Sequence, residues 1–281
     1  MSDEVVLQSN LELPLLRRGK VRDLYDLGEK LLIVSTDRIS AFDVVLPTGI
    51  PKKGEALNRL STYWFNATKD IISNHILDVI DPRTVIVQKT NPIKAEFIVR
   101  GYIYGSTWEN YNRESSSAAG KALPRGLEKA ERLPEPLFTP TTKAEKGHDV
   151  EMTSKQVEEK VGKQRADRIE DICLKIYSKA SKMAEAKGII IADTKMEFGL
   201  IDDQLILIDE LLTPDASRFW AKEKYKVGED QASFDKQYVR DYLTDLGWNR
   251  QPPAPQLPEH IVAETSRKYV MAYELLTGRK F

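Results

Sequence analysis

The sequence predicts an α+β fold in two lobes, with a small, mostly antiparallel N-terminal lobe and a larger α+β lobe. Segments 21–27 and 31–36 are typical of strands, and Gly28-Glu29 between them suits a hairpin turn. Amphipathic periodicity predicts helices at 57–72, 166–187, 234–246 and 259–276. Because Asn91-Pro92 is a turn signal after the strand at 84–89, we place the lobes at residues 1–90 and 91–281.

The composition excludes several classes of function. The chain of 281 residues has 42 basic and 43 acidic side chains, so its formal charge of −1 argues against a nucleic-acid partner. No apolar run approaches the roughly 20 residues that cross a bilayer, so we expect no membrane partner. The N-terminus has acidic residues and no apolar signal core, which favours the cytoplasm. Cys173, the one cysteine, falls on the apolar stripe of a predicted helix and is expected in the core.

A basic segment precedes the first hairpin. Gly19 permits close approach of the backbone to a ligand, and Lys20 and Arg22 alternate with Val21, so on a strand both would project the same way. This pattern indicates a lid over phosphates. The alternative is a solvent-exposed hairpin, because no established phosphate-loop motif is present.

Two further segments carry polar groups next to strands. Residues 35–43 leave a predicted strand with several hydrogen-bonding side chains, which suits either a ligand-binding loop or helix capping by Ser35 or Asp37. Residues 97–106 place Arg100 and Ser106 near two glycines, which suits an anion pocket as well as ordinary sheet packing. Residues 113–136 are predicted to be a surface excursion, and 138–149 an irregular loop rich in turn formers.

A predicted hairpin at 196–208 carries the clearest chemical signal. If a three-residue turn, 202–204, closes it, Glu197 and Asp209 lie directly opposite each other on one face. Facing carboxylates repel unless a cation lies between them, and two carboxylates suit a magnesium ion that also binds nucleotide phosphates. A hairpin whose acids simply point into solvent is the alternative.

Paired acids, Lys195 two residues before one of them, a Gly-Lys loop and several arginines together suit phosphoryl transfer from ATP. These residues do not name the acceptor. A ligase, a small-molecule kinase and a non-enzymatic nucleotide-binding regulator all remain open on this evidence. Only the ligase requires a second, amine-bearing substrate.

Six separated blocks between residues 16 and 246 closely resemble the SAICAR synthetase family of purine biosynthesis: RGKVRDLYD, STDRISAFD, EFIVRGYIYGS, FTPTTKAEKGHD, DTKMEFG and DELLTPDASRFW. The resemblance implies an ATP-dependent ligase that joins L-aspartate to the carboxylate of carboxyaminoimidazole ribonucleotide (CAIR), giving SAICAR, ADP and phosphate. It also implies an acyl-phosphate-like intermediate, and an N-terminal lobe that covers ATP above an ATP-grasp-like lobe with C-terminal helices.

The resemblance also implies site residues. The nucleotide phosphates would contact Gly19, Lys20, Arg22 and Lys195, and magnesium would lie on Glu197 and Asp209. The ribonucleotide phosphate would be held by Arg100, Ser106 and Arg218. Catalytic roles would fall to Lys195, Asp215 and Lys143, with Lys143 and Asp149 in a loop over the substrates. The candidates for the aspartate pocket are Asp37, Arg38 and Ser40.

Overall fold

The structure, a computed structural model, describes residues 4–113, 117–143 and 149–281. Its first elements are β1 (Leu15–Arg18), β2 (Arg22–Asp26), β3 (Lys30–Ser35), β4 (Ser40–Ala41), β5 (Val44–Val45), α1 (Lys53–Ala67), β6 (Ile76–Asp81) and β7 (Thr84–Gln88). Five of these strands form an antiparallel sheet in the order β1-β2-β3-β7-β6. Leu27 N donates to Lys30 O at 3.0 Å across Gly28-Glu29, which confirms the predicted hairpin.

The second group of elements begins the larger sheet and corrects one prediction. It contains β8 (Asn91–Pro92), β9 (Ala95–Tyr102), α2 (Ser106–Arg113), β10 (Ser117–Ala118), β11 (Lys121–Ala122) and β12 (Arg132–Thr142). The surface excursion predicted for 113–136 and the irregular loop predicted for 138–149 are wrong where β12 pairs with β9. Strand β12 lies at the edge of its sheet, where the prolines at 134, 136 and 140 are tolerated because one side needs no ladder hydrogen bonds.

The third group supplies the centre of the larger sheet. It contains α3 (Ser154–Val161), α4 (Lys163–Glu185), β13 (Ile189–Ile201), β14 (Gln204–Ile208), β15 (Ser217–Ala221), a short 3-10 helix (Lys222–Lys224), α5 (Gln237–Asp245) and α6 (Glu259–Thr277). Strand β13 pairs with β9, β14, β15 and β8, so it is the strand around which this sheet is built. Thr153 and Gln156 form a capping box at the start of α3.

One large hydrophobic core joins helices to this sheet. The apolar face of α4, including the buried Cys173 that was expected there, packs with residues of β9 and β13. Helix α1 contributes Leu60, Trp64 and Phe65 to the same core and also contacts β3 of the N-terminal sheet. The predicted α+β class is confirmed. Helix α1 packs against both sheets and so holds them together.

Candidate active site

The hairpin at the centre of the site differs from its prediction by one residue. Its turn consists of Asp202 and Asp203, both with positive φ (45° and 66°), so Glu197 pairs with Ile208. The predicted facing pair of Glu197 and Asp209 is therefore wrong. Two-residue turns of this kind match the twist of the strands they join, and aspartate tolerates the left-handed conformation, so the shorter turn is favoured.

Basic side chains surround Glu197 and Asp209 in the structure. Glu197 is nearly buried and accepts from Lys195 Nζ at 2.8 Å and from Lys143 Nζ. Asp209 pairs with Arg22 at 2.5 Å. Burial alone would raise the pKa of Asp209, but Arg22, Lys195 and Lys143 together hold that pKa well below its usual range. The acids thus share a basic environment instead of facing each other across the sheet.

Lys195 connects this acidic cluster to a neighbouring cavity. Its ammonium contacts Glu96 and Glu197, each at 2.8 Å, and it also lines a cavity of about 190 Å³. Burial lowers the pKa of Lys195, but the carboxylates of Glu197, Asp209 and Glu96 raise it well above its ordinary value. Lys195 therefore acts as a fixed positive charge, because it holds its proton throughout the physiological range.

The cavity is lined by basic groups, and two of them share one carboxylate. Arg100 contacts Asp193 at 3.2 Å and donates through Nε to Thr139 Oγ1 at 2.9 Å. Arg218 contacts the same oxygen of Asp193. Burial lowers the pKa of Arg100 and Asp193 opposes that effect, so Asp193 is what makes a buried guanidinium tolerable here.

Local backbone geometry makes room for Arg218. Gly105 has φ of 59°, and a Cβ at that position would lie 2.6 Å from Arg218 Nη2. The left-handed backbone conformation favours glycine here, and a larger residue would also require Arg218 to shift. Ser106, the first residue of α2, also lines the cavity. Among the residues that the structure describes, none accepts a hydrogen bond from the buried Arg218 Nε.

The family resemblance implied no role for Lys53, Lys236 or Arg240 in this region. Lys236 and Arg240 line the cavity. Burial lowers the pKa of Lys236 to about 8, partly offset by Asp215. Asp215 also lines the cavity, and it pairs at 2.8 Å with Lys53, whose side chain is 0% exposed. No local signal could have indicated the last pair, because its members lie 162 positions apart.

The basic N-terminal segment lies on the acidic side of the site. Gly19 N donates to Arg22 O at 2.7 Å and forms a tight turn before β2. Lys20 and Arg22 do not share one partner: Lys20 pairs with Asp43 at 2.6 Å in an exposed contact, whereas Arg22 reaches Asp209. Only the second contact belongs to the cluster around Glu197.

The structure does not bring the three candidates for the aspartate pocket to the cavity wall. The buried carboxylate of Asp37 accepts from Val6 N and Gly54 N, both at 2.8 Å, and so anchors the start of α1. Arg38 donates to the carbonyls of Gly19 and Lys20, at 3.0 and 3.1 Å. Ser40 pairs with Val45 in a two-stranded ribbon. These contacts fit helix capping, which was the alternative to a ligand-binding role for Asp37.

The predicted substrate loop is described at its two ends. At one end of the loop, Lys143 pairs with Glu197. The exposed Asp149 lies at the other end, near Glu96. Burial raises the pKa of Glu96, Lys195 opposes this shift, and the charge of Asp149 adds to it. Residues 144–148 lie outside the described part of the chain. The loop thus starts and finishes beside the acidic cluster.

Carboxylates with bound lysines beside an arginine-lined cavity, on a two-sheet α+β scaffold, are typical of enzymes that act on phosphorylated small molecules. The SAICAR synthetase family model matches residues 15–255. The phosphoribosylaminoimidazole-succinocarboxamide synthase of Thermodesulfovibrio yellowstonii is 50% identical over 290 residues, which cover 98% of this chain and 99% of the relative. The synthase of that name from Geotalea uraniireducens is 50% identical over 295 residues, 99% of each chain.

A solved structure agrees with these relatives. The SAICAR synthase from Saccharomyces cerevisiae complexed with SAICAR is 41% identical, with a TM-score of 0.90 over 98% of this chain and 99% of that one. The chain belongs to the SAICAR synthetase family. It is an ATP-dependent ligase of purine biosynthesis that joins aspartate to CAIR, which decides against the kinase and regulator alternatives.

Proposed function

We propose that the ligase activates the CAIR carboxylate by phosphorylation and that the aspartate amine then displaces phosphate. The position of Lys195 supports this sequence of two steps, because its side chain lines the cavity and also donates to the Glu197 carboxylate. A substrate phosphate held at the far wall of the cavity would leave the rest of that substrate extending towards Lys195. The reacting carboxylate and the terminal phosphate of ATP would then meet at this cation.

The cavity is proposed to bind the phosphate of CAIR through Arg100, Ser106 and Arg218. Arginine suits this task because its planar guanidinium offers several donors in a fixed geometry. Asp193 holds both arginines before any ligand arrives, and Arg218 Nε, which has no hydrogen-bond partner among the described residues, would supply a further donor. Such pre-ordering reduces the entropy lost on binding.

The nucleotide is proposed to lie along the N-terminal sheet. Gly19 would allow its phosphates to approach the backbone, and Lys20 would leave its exposed pairing with Asp43 to contact them. Arg22 already lies at the acidic cluster through Asp209. Lys143 and Asp149 would enclose the substrates from the loop whose ends they form.

Glu197 and Asp209 are proposed to hold magnesium. Across the described residues, no set of three or more histidine, cysteine or acidic side chains could hold a metal by itself. This is compatible with magnesium, which commonly takes one or two carboxylates and completes its shell with water and nucleotide phosphates. When bound, the ion would neutralise charge on the triphosphate.

The proposed reaction requires two displacement steps. In the first, a carboxylate oxygen of CAIR attacks the terminal phosphorus of ATP, and ADP leaves. In the second, the uncharged amine of aspartate attacks the acyl carbon, the amide bond forms, and phosphate departs with the carboxylate oxygen while the amine loses a proton. Lys195, which keeps its own proton, stabilises the negative charge that develops in both steps.

The aspartate substrate is proposed to bind towards Lys236 and Arg240 and not at Asp37, Arg38 and Ser40. The latter three have structural hydrogen bonds or strand pairing away from the cavity, whereas Lys236 and Arg240 line it beside Asp215. Two cations suit a substrate with two carboxylates. Asp215 would contact the amine or the ribose.

The setting of the reaction is proposed to be the cytoplasm, where its soluble small-molecule substrates would be available, with no nucleic-acid partner. In the part of the chain that the structure describes, no helix is long and apolar enough to cross a membrane.

The proposed order can be tested with CAIR that carries a heavy oxygen isotope in its carboxylate. Phosphorylation of that carboxylate transfers one labelled oxygen to the inorganic phosphate, so mass spectrometry of the released phosphate should find the label. Release of wholly unlabelled phosphate alongside normal SAICAR formation would contradict activation at the carboxylate.

A further inference from the structure

The Asp215 carboxylate at the cavity wall is held from two distant parts of the chain. Lys53, the first residue of α1, donates to Asp215 Oδ2 at 2.8 Å. Tyr269, in the C-terminal helix α6, donates to Asp215 Oδ1 at 2.6 Å. Each carboxylate oxygen therefore has its own donor, and the plane of the carboxylate is fixed.

Tyr269 is enclosed in the protein. Its ring is 0% exposed and packs with Ala56 and Leu57 of α1, and Lys53 Nζ lies 5.5 Å from the ring centroid. Burial and the adjacent Asp215 carboxylate raise the pKa of Tyr269 well above its usual value. The hydroxyl consequently stays protonated and acts as the donor to Asp215.

Helix α6 follows the residues that the family model matches. The family model matches residues 15–255, and α6 spans Glu259–Thr277. A segment beyond that match thus supplies one of the two hydrogen bonds at a cavity-lining carboxylate.

We infer that Tyr269 is a positioning residue for the ligase: with Lys53 it orients the Asp215 carboxylate at the cavity wall, and it makes the C-terminal helix part of the substrate site. The inference rests on the proposed role of Asp215 as a substrate contact. Tyr269 itself has no place in the cavity lining, so it acts through Asp215.

The alternative is that Tyr269 only fills the core between α1 and α6. A purely structural role depends on the ring, which Phe retains, whereas positioning depends on the hydroxyl. Without the hydroxyl, Asp215 keeps its pairing with Lys53 but loses the donor to Oδ1, so the carboxylate can rotate. Loss of a hydrogen bond to a charged group in a buried site corresponds to roughly a tenfold effect or more.

The test compares Tyr269→Phe with Tyr273→Phe in the full chain. Tyr273 lies one turn further along α6, and its ring contacts Phe281 and Arg59. We expect Tyr269→Phe to lower kcat/KM for CAIR or aspartate by roughly tenfold, with KM for ATP and the melting temperature close to those of Tyr273→Phe. Identical kinetics for the two variants would overturn the inference.

A second pair of variants separates this inference from the role proposed for Asp215. Asp215→Asn should impair turnover, and adding Tyr269→Phe to it should cause little further loss, because the hydroxyl acts through the carboxylate. Fully independent, multiplicative losses would contradict positioning. An active Asp215→Asn enzyme would refute the role of Asp215 itself, and the inference with it.

The pH profile gives an independent measure of the same contact. The pKa of Lys236 depends on four charged neighbours, Asp215, Arg240, Lys53 and Glu210. The two acids raise this pKa and the two basic residues lower it. If Tyr269 keeps Asp215 in place, Tyr269→Phe should shift the alkaline inflection of substrate binding to lower pH, and Tyr273→Phe should not. An unshifted inflection in both would oppose the inference.

Discussion

The arginine-lined cavity and the Gly19-Lys20 loop both suit phosphate, yet they are built differently. In the cavity, Asp193 and Thr139 hold guanidinium groups that are largely buried. In the loop, the backbone is held by Arg38, but the Lys20 side chain is 55% exposed and pairs with an equally exposed acid. The cavity is ordered before its ligand arrives, whereas the loop has a fixed backbone and an exposed lysine that is paired only with an exposed acid. We expect the first to confer specificity and the second to adapt to a mobile triphosphate.

The largest effect should come from Lys195, which joins the cavity to the acidic cluster around Glu197. Lys195→Met preserves bulk but removes the charge between the cavity and Glu197, so kcat should fall by a factor of about a hundred to a thousand. Steady-state kinetics measure this, with the exposed Lys175→Met on α4 as control. A Lys195 variant with kcat like that of the control would mean that the reaction does not take place between the cavity and the acidic cluster.

The acidic cluster offers the next test. Glu197→Ala and Asp209→Ala should each raise the magnesium concentration needed for half-maximal turnover and lower kcat, and the double variant should lose far less than the product of the single losses. Asp203→Ala, at the exposed turn of the same hairpin, is the matched control. Mild and independent losses would argue against one shared ion.

The cavity should also respond to pH. Burial lowers the pKa of Lys236 from its ordinary 10.5 to about 8, so its charge is present below that pH and is lost above it. A bound anion favours the charged form, so KM for the substrate held there should rise by up to roughly tenfold per pH unit above pH 8. Lys236→Arg should remove the inflection, because arginine stays protonated. A wild-type KM that is flat through this range would contradict a binding role for Lys236.

The smallest effect is expected at the loop. Arg38→Lys keeps the charge but cannot reach the carbonyls of Gly19 and Lys20 together, so KM for ATP should rise by roughly threefold to tenfold while KM for CAIR is unchanged. Arg18→Lys, which disturbs the pairing of Arg18 with Asp23 but not those carbonyls, is the control. Equal changes in both KM values would show that Arg38 acts on the fold and not on the loop.

Local patterns predicted much of the fold but not the details that depend on distant contacts. The hairpin at Gly28-Glu29 and the amphipathic helices followed from residues that are close in the sequence. Strand β12 did not, because its edge position decides whether prolines are tolerated, and that position is a property of the whole sheet.

The same distinction between local patterns and distant contacts applies to the site. Arg100, Ser106 and Arg218 lie at one cavity, as the resemblance implied. The turn at Asp202 was misjudged by one residue, because two- and three-residue turns share the same polar residues. The contacts of Arg38 with the carbonyls of Gly19 and Lys20 could not be predicted, because backbone partners distant in the chain leave no mark in the sequence around it.

The difference between the two regions is tested most directly by calorimetric binding of CAIR and of ATP, separately, to Arg218→Lys. Lysine cannot reproduce the several donors of a guanidinium held on Asp193, so Kd for CAIR should rise by roughly tenfold or more while Kd for ATP stays at the wild-type value. An equal loss of both affinities, or a loss confined to ATP, would contradict the assignment of the cavity to the ribonucleotide and the loop to the nucleotide.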